Sequence, residues 1–248
     1  MARQRLMVCI LVFLGVSSVR ADGKEGYPSW FVRPPTPTTC SVAVGYSPLF
    51  FCPDSSVAYA TRNGLDNLAR EAALRIRYEE GFMTVPGGLR AMGRIYDEEV
   101  DSTTVQTVQA DSRLLVKASV GRSVFVLVGG SCVDPPAVVT KEVSMPSRPP
   151  KWVHSPPKKS GYVYAIGVAP LYYYEIHSWQ EAEQSARVEL ARIVLSQIKG
   201  LSKIYGGYLQ TVTVTETDVT LRGVQVVSRW LDRKDKAFYV LCRMPLRH

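Results

Sequence analysis

The chain has 248 residues, 46% of them hydrophobic and 21% charged, and a formal net charge of +8. That apolar fraction is ordinary for globular proteins, and it excludes both a disordered chain and a multi-span membrane protein. The basic residues are dispersed and mixed with acids, as in Glu71 with Arg75 and Glu189 with Arg192. A nucleic-acid binder would show a clustered basic stripe with interleaved aromatics, so that class is not indicated.

Arg3 and Arg5 precede an apolar run, Leu6–Val16, and then Ser17-Ser18-Val19-Arg20-Ala21. A basic head, an apolar stretch and a small-residue site predict a secretory signal over residues 1–21, cleaved after Ala21. Eleven apolar residues are too few for a spanning helix, which needs about 20. Cys9 lies inside the apolar stretch rather than at its end, so the expected product is unlipidated. Cleavage removes Arg3, Arg5 and Arg20 and no acid, taking the formal charge from +8 to +5.

The rest of the chain contains one stretch twice. Residues 28–70 align with residues 150–192 without a gap, at a constant offset of 122, and 13 of the 43 pairs are identical. Among them are Trp30/Trp152, Gly45/Gly167, Ser56/Ser178, Ala60/Ala182 and Leu68/Leu190. A repeat of this length decides the fold reading. It predicts a first domain over 22–130, a Pro-rich linker over 131–149 and a second domain over 150–248.

Each copy opens on a Pro-framed segment, Pro28-Ser29-Trp30 and Pro150-Lys151-Trp152. Proline lacks an N–H and fixes φ, so an extended, non-helical entry is expected. Each Trp should fold back to cover one edge of its own domain. Ser41–Gly45 and Tyr162–Gly167 read as first strands, with the glycine ending each one at a bulge or turn. Long helices follow, with Ser56 and Ser178 expected at their N-caps and a capping box at Ser178–Glu181. Their buried stripes read Val57, Ala60, Gly64, Leu68, Ala72, Ile76 and Trp179, Ala182, Ala186, Leu190, Val194, Ile198. Gly81 and Lys199-Gly200 are the expected stops.

The copies then diverge. The first carries a Gly/Pro-rich insertion, Val85–Gly88, and a polar stretch, Asp97–Asp111. The second carries Tyr208–Leu221, rich in Thr and Val and read as extended. Hairpins close both copies: 114–118 with 123–128, turning near Gly121, and 223–231 with 237–242, turning at 232–236. The fold class is therefore α+β, two β-α-β-β units. A right-handed crossover followed by a hairpin puts the third strand in the middle, order 1-3-2, with the helix on one face. The twin domain or a partner has to cover the other face.

Cys40, Cys52, Cys132 and Cys242 follow the signal, an even number suited to disulfides in an exported chain. Cys40 precedes the first strand and Cys132 follows the third. In a 1-3-2 sheet those ends meet, about 4.8 Å apart, which predicts a Cys40–Cys132 bond. Cys52 and Cys242 are left as free thiols or an inter-domain bridge.

Chemistry is sparse. His154, His177 and His248 are unpaired at any metal-ligand spacing, and no Gly-x-Ser-x-Gly elbow is present. Glu175 beside His177 is the best acid/base pair; it reads more simply as a loop before a helix N-terminus. No catalytic residue, cofactor or metal set is assigned. Leu171-Tyr172-Tyr173-Tyr174, opposite Leu49-Phe50-Phe51-Cys52, has two readings. It is core or inter-domain packing, or Tyr172, Tyr173 and Tyr174 form a partner surface of the aromatic kind found at hot spots.

The second copy resembles a known family. Pro150-Lys151-Trp152, Tyr162–Gly167, the helix Ala182-x-x-x-Ala186-x-x-x-Leu190-Ala191-Arg192 and the segments Gly223-Val224, Arg229–Asp232 and Tyr239–Leu241 look like the LPP-twenty-type envelope lipoproteins of Gram-negative bacteria. The N-terminal domain of the flagellar H-ring protein FlgT is similar. The resemblance covers residues 150–245 well and 28–130 more weakly. It implies a dodecin-like fold, an envelope location and no enzymatic activity. The expected role is that of a periplasmic or outer-membrane-associated binding or assembly protein, accessory to the flagellum or envelope, with a protein partner or its own oligomer. The competing reading is a secreted small-ligand carrier or hydrolase. This chain lacks the family's lipidated cysteine.

Overall fold

In the computed structural model, residues 26–35, 40–85, 88–133, 140–199 and 212–246 are described. Three three-stranded antiparallel sheets, a two-stranded ribbon and five helices make up these residues. The fold is mixed α and β.

The first copy builds β2 (Val42–Pro48), α2 (Pro53–Ala72), β5 (Ser112–Val120) and β6 (Ser123–Gly130). The second builds β8 (Tyr162–Pro170), α5 (Glu175–Lys199), β10 (Gln225–Asp232) and β11 (Ala237–Pro245). Their sheets run β2-β6-β5 and β8-β11-β10, so the third strand is central in each, as the hairpins require. Each hairpin breaks register near the start of its first strand, between Leu114 and Val116 and between Val226 and Ser228. The Cys40–Cys132 disulfide joins the ends of the first sheet, with Cα atoms 6.2 Å apart. Cys52 and Cys242 are free.

Each helix lies on its sheet over a glycine. A Cβ on Gly45 would overlap the Ala60 carbonyl, and one on Gly167 the Ala182 carbonyl. These glycines sit mid-strand, not at a turn, and their missing side chains let helix backbone approach sheet backbone. Ala43, Val126 and Val128 form the face under α2 together with Ala60 and Leu68. Val44, Tyr46, Phe125 and Leu127 point the other way, into a core shared with the second copy. There Phe125, Phe31, Trp179 and Phe238 form a continuous row, with successive ring centroids 4.5, 5.3 and 4.7 Å apart. The second copy thus covers the open face of the first sheet.

Four local expectations are corrected. Residues after Pro28 and Pro150 are not extended: each proline caps a single helical turn, α1 (Ser29–Val32) and α4 (Lys151–His154). A helix's first N–H groups have no intrahelical partner, so proline costs nothing there. The buried Trp30 donates from Nε1 to Thr140 Oγ1 at 3.1 Å, reaching past its own sheet. Ser56 and Ser178 are not N-caps, because both helices begin earlier, at Pro53 and Glu175. Finally, α2 does not reach Gly81. It stops at Ala72 and passes directly into β3 (Ala73–Val85), which contains Ile76 and Gly81. Leu74, Ile76 and Tyr78 are buried on one face of this strand, a period of two. The signal segment 1–21, the helical stop at Gly200, and Pro86 and Gly87 of the Gly/Pro-rich insertion fall outside the described residues.

A third sheet joins the copies. β3 pairs with β4 (Gly88–Glu99) on one side and with β9 (Val212–Arg222), the extended stretch of the second copy, on the other. Arg75 and Arg77 alternate with the buried residues and meet Asp218, Asp97 and Glu99 across the strands. Exposed pairs like these add little stability; here they mark the solvent face. The polar stretch after β4 forms α3 (Ser102–Asp111), with Asp101 accepting from Thr104 N–H at 3.0 Å. Between the copies, β7 (Glu142–Val143) pairs with β1 (Tyr27–Pro28), holding the linker against the entry. Among the described residues, no helix is long and apolar enough to cross a membrane.

Candidate functional site

Two equivalent loops, 49–52 and 171–174, connect the first strand of each sheet to its helix. In both, a buried serine one turn into the helix turns its hydroxyl back to the loop. Ser56 Oγ accepts from Phe50 N–H at 2.7 Å, and Ser178 Oγ from Tyr172 N–H at 2.8 Å. The residue just before Phe50 or Tyr172 is tied to the neighbouring hairpin turn. Leu49 N–H donates to Arg122 O at 2.8 Å, and Leu171 N–H to Lys236 O at 3.0 Å. Both loops are therefore held by the same frame, a pair of hydrogen bonds.

The frame turns the aromatic side chains outward. Phe51 is 106% exposed and Tyr173 is 86% exposed, with Leu49, Phe50, Leu171, Tyr172 and Tyr174 also on the surface. Tyr59, one turn along α2, extends the patch by packing edge-on against Phe50. Tyr172, Tyr173 and Tyr174 are thus surface residues, not core. Most of the large hydrophobic side chains exposed among the described residues belong to this one end. An exposed apolar patch of this kind marks an interaction site more often than chance does.

Both loops border the β5–β6 turn. A cleft of about 280 Å³ elsewhere on the molecule lies between α5, β8 and the third sheet, but a second one, about 200 Å³, opens between the copies at the aromatic end. Its walls include Tyr173 and Tyr174 from the second copy and Arg122 and Ser123 from the first. Arg122 is the residue whose carbonyl holds Leu49. The β5–β6 turn is therefore the hub between the two aromatic loops.

Glu175 and His177, the acid/base pair considered from sequence, serve this end structurally. The Glu175 carboxylate accepts from the Tyr27 hydroxyl and from Trp179 Nε1–H at 3.0 Å. His177 packs against the Tyr174 ring, with centroids 5.7 Å apart.

A second polar cluster, which sequence reasoning missed, lies buried between the copies. Arg229 donates to Glu183 from Nη2 at 2.6 Å and to the Phe31 carbonyl from Nη1 at 2.6 Å, and its guanidinium lies 4.6 Å from the Phe31 ring. Arg187 donates to Glu98 at 2.6 Å, and Arg70 donates to the other oxygen of Glu98 at 3.1 Å. The Tyr96 hydroxyl also donates to Glu98. Burial opposes ionisation of Glu98, but Arg187, Tyr96 and Arg70 together hold its carboxyl below the ordinary range. Glu71 is the opposite case. Burial, reinforced by the charge of Glu183, pushes its carboxyl well above the ordinary range. Its Oε2 atom is sealed from solvent and accepts no hydrogen bond. Burial likewise raises the Tyr46 hydroxyl and pushes the Cys242 thiol up to about 12.

Convergent titratable groups of this kind are what a hydrolase would need. The space among Asn67, Glu71, Glu183, Arg187 and Cys242 is only about 20 Å³. That is room for about one water molecule, not for a substrate. The cluster instead ties α2, α5, β4 and β10 together. Spacing alone does not bring these six charged residues to one place, because they come from four separated elements. The equivalence of Ser56 and Ser178, by contrast, was visible as an identical pair.

Among the described residues, no group of three or more His, Cys, Asp or Glu side chains is placed to hold a metal ion. In comparisons with protein-family models, curated proteins and solved structures, the chain matches none of them.

Proposed function

We propose that this chain is a non-enzymatic binding or assembly protein of the cell envelope, exported by residues 1–21, and that it docks through its aromatic end. The convergence of two equivalent aromatic loops around Arg122 carries this reading. Each loop is fixed by a buried serine and a hairpin carbonyl, so the aromatic side chains are presented by a rigid frame. Pre-organisation of this kind lowers the ordering cost of association.

The Cys40–Cys132 bond supports export, since disulfides persist in oxidising compartments. We read the two β-α-β-β units as tandem dodecin-like domains of the LPP-twenty type. Their shared strand order and shared helix-over-glycine packing support that. In this reading docking through the aromatic end, rather than an acyl chain, is the means of envelope association. A flagellar or outer-membrane accessory role is the family's contribution to this proposal.

The test is fractionation of cells producing the protein with Phe51→Ser and Tyr173→Ser together. Wild type is expected with the washed envelope, and the double variant in the soluble periplasmic fraction. Equal distribution of the two proteins would end the docking reading.

A further inference from the structure

We infer that the aromatic end seats on a phospholipid surface, with an anionic headgroup phosphate held at Arg122 between the two loops. The inference rests on the docking reading above and names the partner of the same site.

Three observations favour lipid over a protein groove. First, the side chains at the tips are exposed to solvent. Phe51 and Tyr173 are the most exposed large hydrophobic residues described, and Tyr173 packs edge-on against the Tyr174 ring, 4.8 Å away, at the wall of the cleft. Protein hot spots centre on fitted, tightly packed pockets. A bilayer interface needs no fitted shape and accepts aromatic rings at headgroup depth, where tyrosine is enriched. Second, the two loops are equivalent and border the same β5–β6 turn, which gives two insertion points rather than one knob for one hole. Third, the turns that hold the loops are cationic. Arg122 sits at the hub, and Arg233, Lys234 and Lys236 belong to the turn that holds Leu171.

Acidic residues at this end are Asp54, Glu175, Asp232 and Asp235; Glu175 lines the cleft, and its carboxylate is engaged by the Tyr27 hydroxyl and Trp179 Nε1–H. Asp232 is engaged by its own turn, accepting from the N–H groups of Lys234 and Asp235 at 2.9 and 3.1 Å. Asp54 lies in the first turn of α2, where the helix dipole holds a negative charge. Arg122 makes no ion pair among the described residues. Beside it in the cleft is Ser123, a hydroxyl donor, and across from it are Tyr173, Tyr174 and the already engaged Glu175 carboxylate. A guanidinium, a hydroxyl and tyrosines at the mouth of a cleft of about 200 Å³ suit a phosphate diester with its glycerol end toward the aromatic tips. Interfacial binding of this kind combines buried apolar area with attraction to anionic lipid.

The experiment is co-sedimentation of the protein, as processed by an exporting host, with protein-free vesicles. One set is phosphatidylethanolamine with phosphatidylglycerol, and the other is phosphatidylcholine alone. Wild type is expected to pellet with the anionic set and several-fold less with the neutral set. Phe51→Ser with Tyr173→Ser should abolish pelleting with both. Arg122→Gln should remove the preference for anionic vesicles and leave the weaker neutral binding. Ile95→Ser, an exposed position on β4, is the control and should match wild type. Circular dichroism and retention of the disulfide establish folding. A Tyr173→Trp variant provides an independent readout, with a blue shift of its emission expected when anionic vesicles are added. Wild type that ignores protein-free vesicles yet sediments with native envelope, through the same two side chains, overturns the lipid inference, assigns a protein partner and leaves the docking reading standing. Loop variants that sediment like wild type in both assays overturn both.

Discussion

The Ser178 hydroxyl accepts a hydrogen bond from the Tyr172 N–H at 2.8 Å, and 122 residues earlier Ser56 does the same for Phe50 at 2.7 Å. Both serines are fully buried. Their job is to hold the aromatic loop rather than to start the helix. Ser178→Ala leaves the Tyr172 N–H without its partner and is expected to cost about 1 kcal/mol in chemical denaturation. The larger effect is local. Chymotrypsin should cut within 171–174 several-fold faster in the variant, because the loop is freed while the sheets remain. Unchanged cleavage would show that the loop is held by the Leu171–Lys236 bond alone.

The thiols report on the fold separately. Hydrogen bonds from the backbone and side chain of Ser55 hold the exposed Cys52 thiol below its ordinary pKa, while burial pushes Cys242 up to about 12. Under native conditions a maleimide is expected to label Cys52 once and to spare Cys242 and the bonded pair, as read by intact mass. The Cys40–Cys132 bond spans a sequence separation of 92. The chain-entropy account gives such a loop more than about 4 kcal/mol, an upper value. Cys40→Ala with Cys132→Ala should therefore lower stability by a few kcal/mol. Labelling of Cys242 in the folded wild type would contradict the burial described.

Gly45 and Gly167 allow no side chain. Each Cβ would run into helix backbone, which cannot rotate away as a side-chain tip can. Gly45→Ala and Gly167→Ala are each expected to destabilise by at least about 1–3 kcal/mol through overpacking. Gly130→Ala is the comparison, since its Cβ would meet only Cys132 Sγ at an ordinary 3.5 Å. Equal effects at all three positions would mean that the close helix–sheet approach is not what these glycines provide.

Much of the architecture was legible because the repeat doubled every signal. A single copy of Ala60, Gly64 and Leu68 is a weak helix pattern; the same pattern at Ala182, Ala186 and Leu190 is a strong one. The hairpins followed from alternation around clear turns, and strand order followed from connectivity, so the disulfide followed too. What failed did so for definable reasons. Ala72 and Ile76 are four apart and fit a helix, yet Leu74, Ile76 and Tyr78 fit a strand equally well, and pairing with β9 decided between them. That pairing joins residues 73–83 to residues 212–222, a contact no local pattern encodes. The aromatic loops stood out in sequence, but their exposure depended on the serine clamp. The buried charges looked like ordinary solvated helix faces, because only the docking of one copy on the other takes Arg187, Glu183 and Arg229 out of water.

Glu71 and Glu98 make the pH dependence of that docking testable. The folded carboxyl of Glu71 is raised above its ordinary value of 4.5, so the native state binds this proton more tightly than the unfolded state does. Stability from this group is present below the ordinary value and is lost as pH rises through the folded value. Glu98 is lowered, so its contribution is present above the ordinary value and is lost as pH falls through the folded one. Glu71→Gln removes a carboxyl with an unsatisfied buried oxygen, and at about pH 8 it is expected to stabilise by about 1–3 kcal/mol. The gain should vanish in acid, where wild-type Glu71 is protonated in both states. Glu98→Gln leaves Arg187 and Arg70 without their anion and is expected to destabilise by about 3 kcal/mol at neutral pH. Its deficit should shrink as the wild type loses its own advantage in acid. Urea midpoints for the three proteins, taken from about pH 4 to about pH 9, measure both slopes. A Glu71→Gln protein that is less stable than wild type at high pH would show that Glu71 is ionised there and paired with Arg187 or Arg229, reversing the sign argued for it.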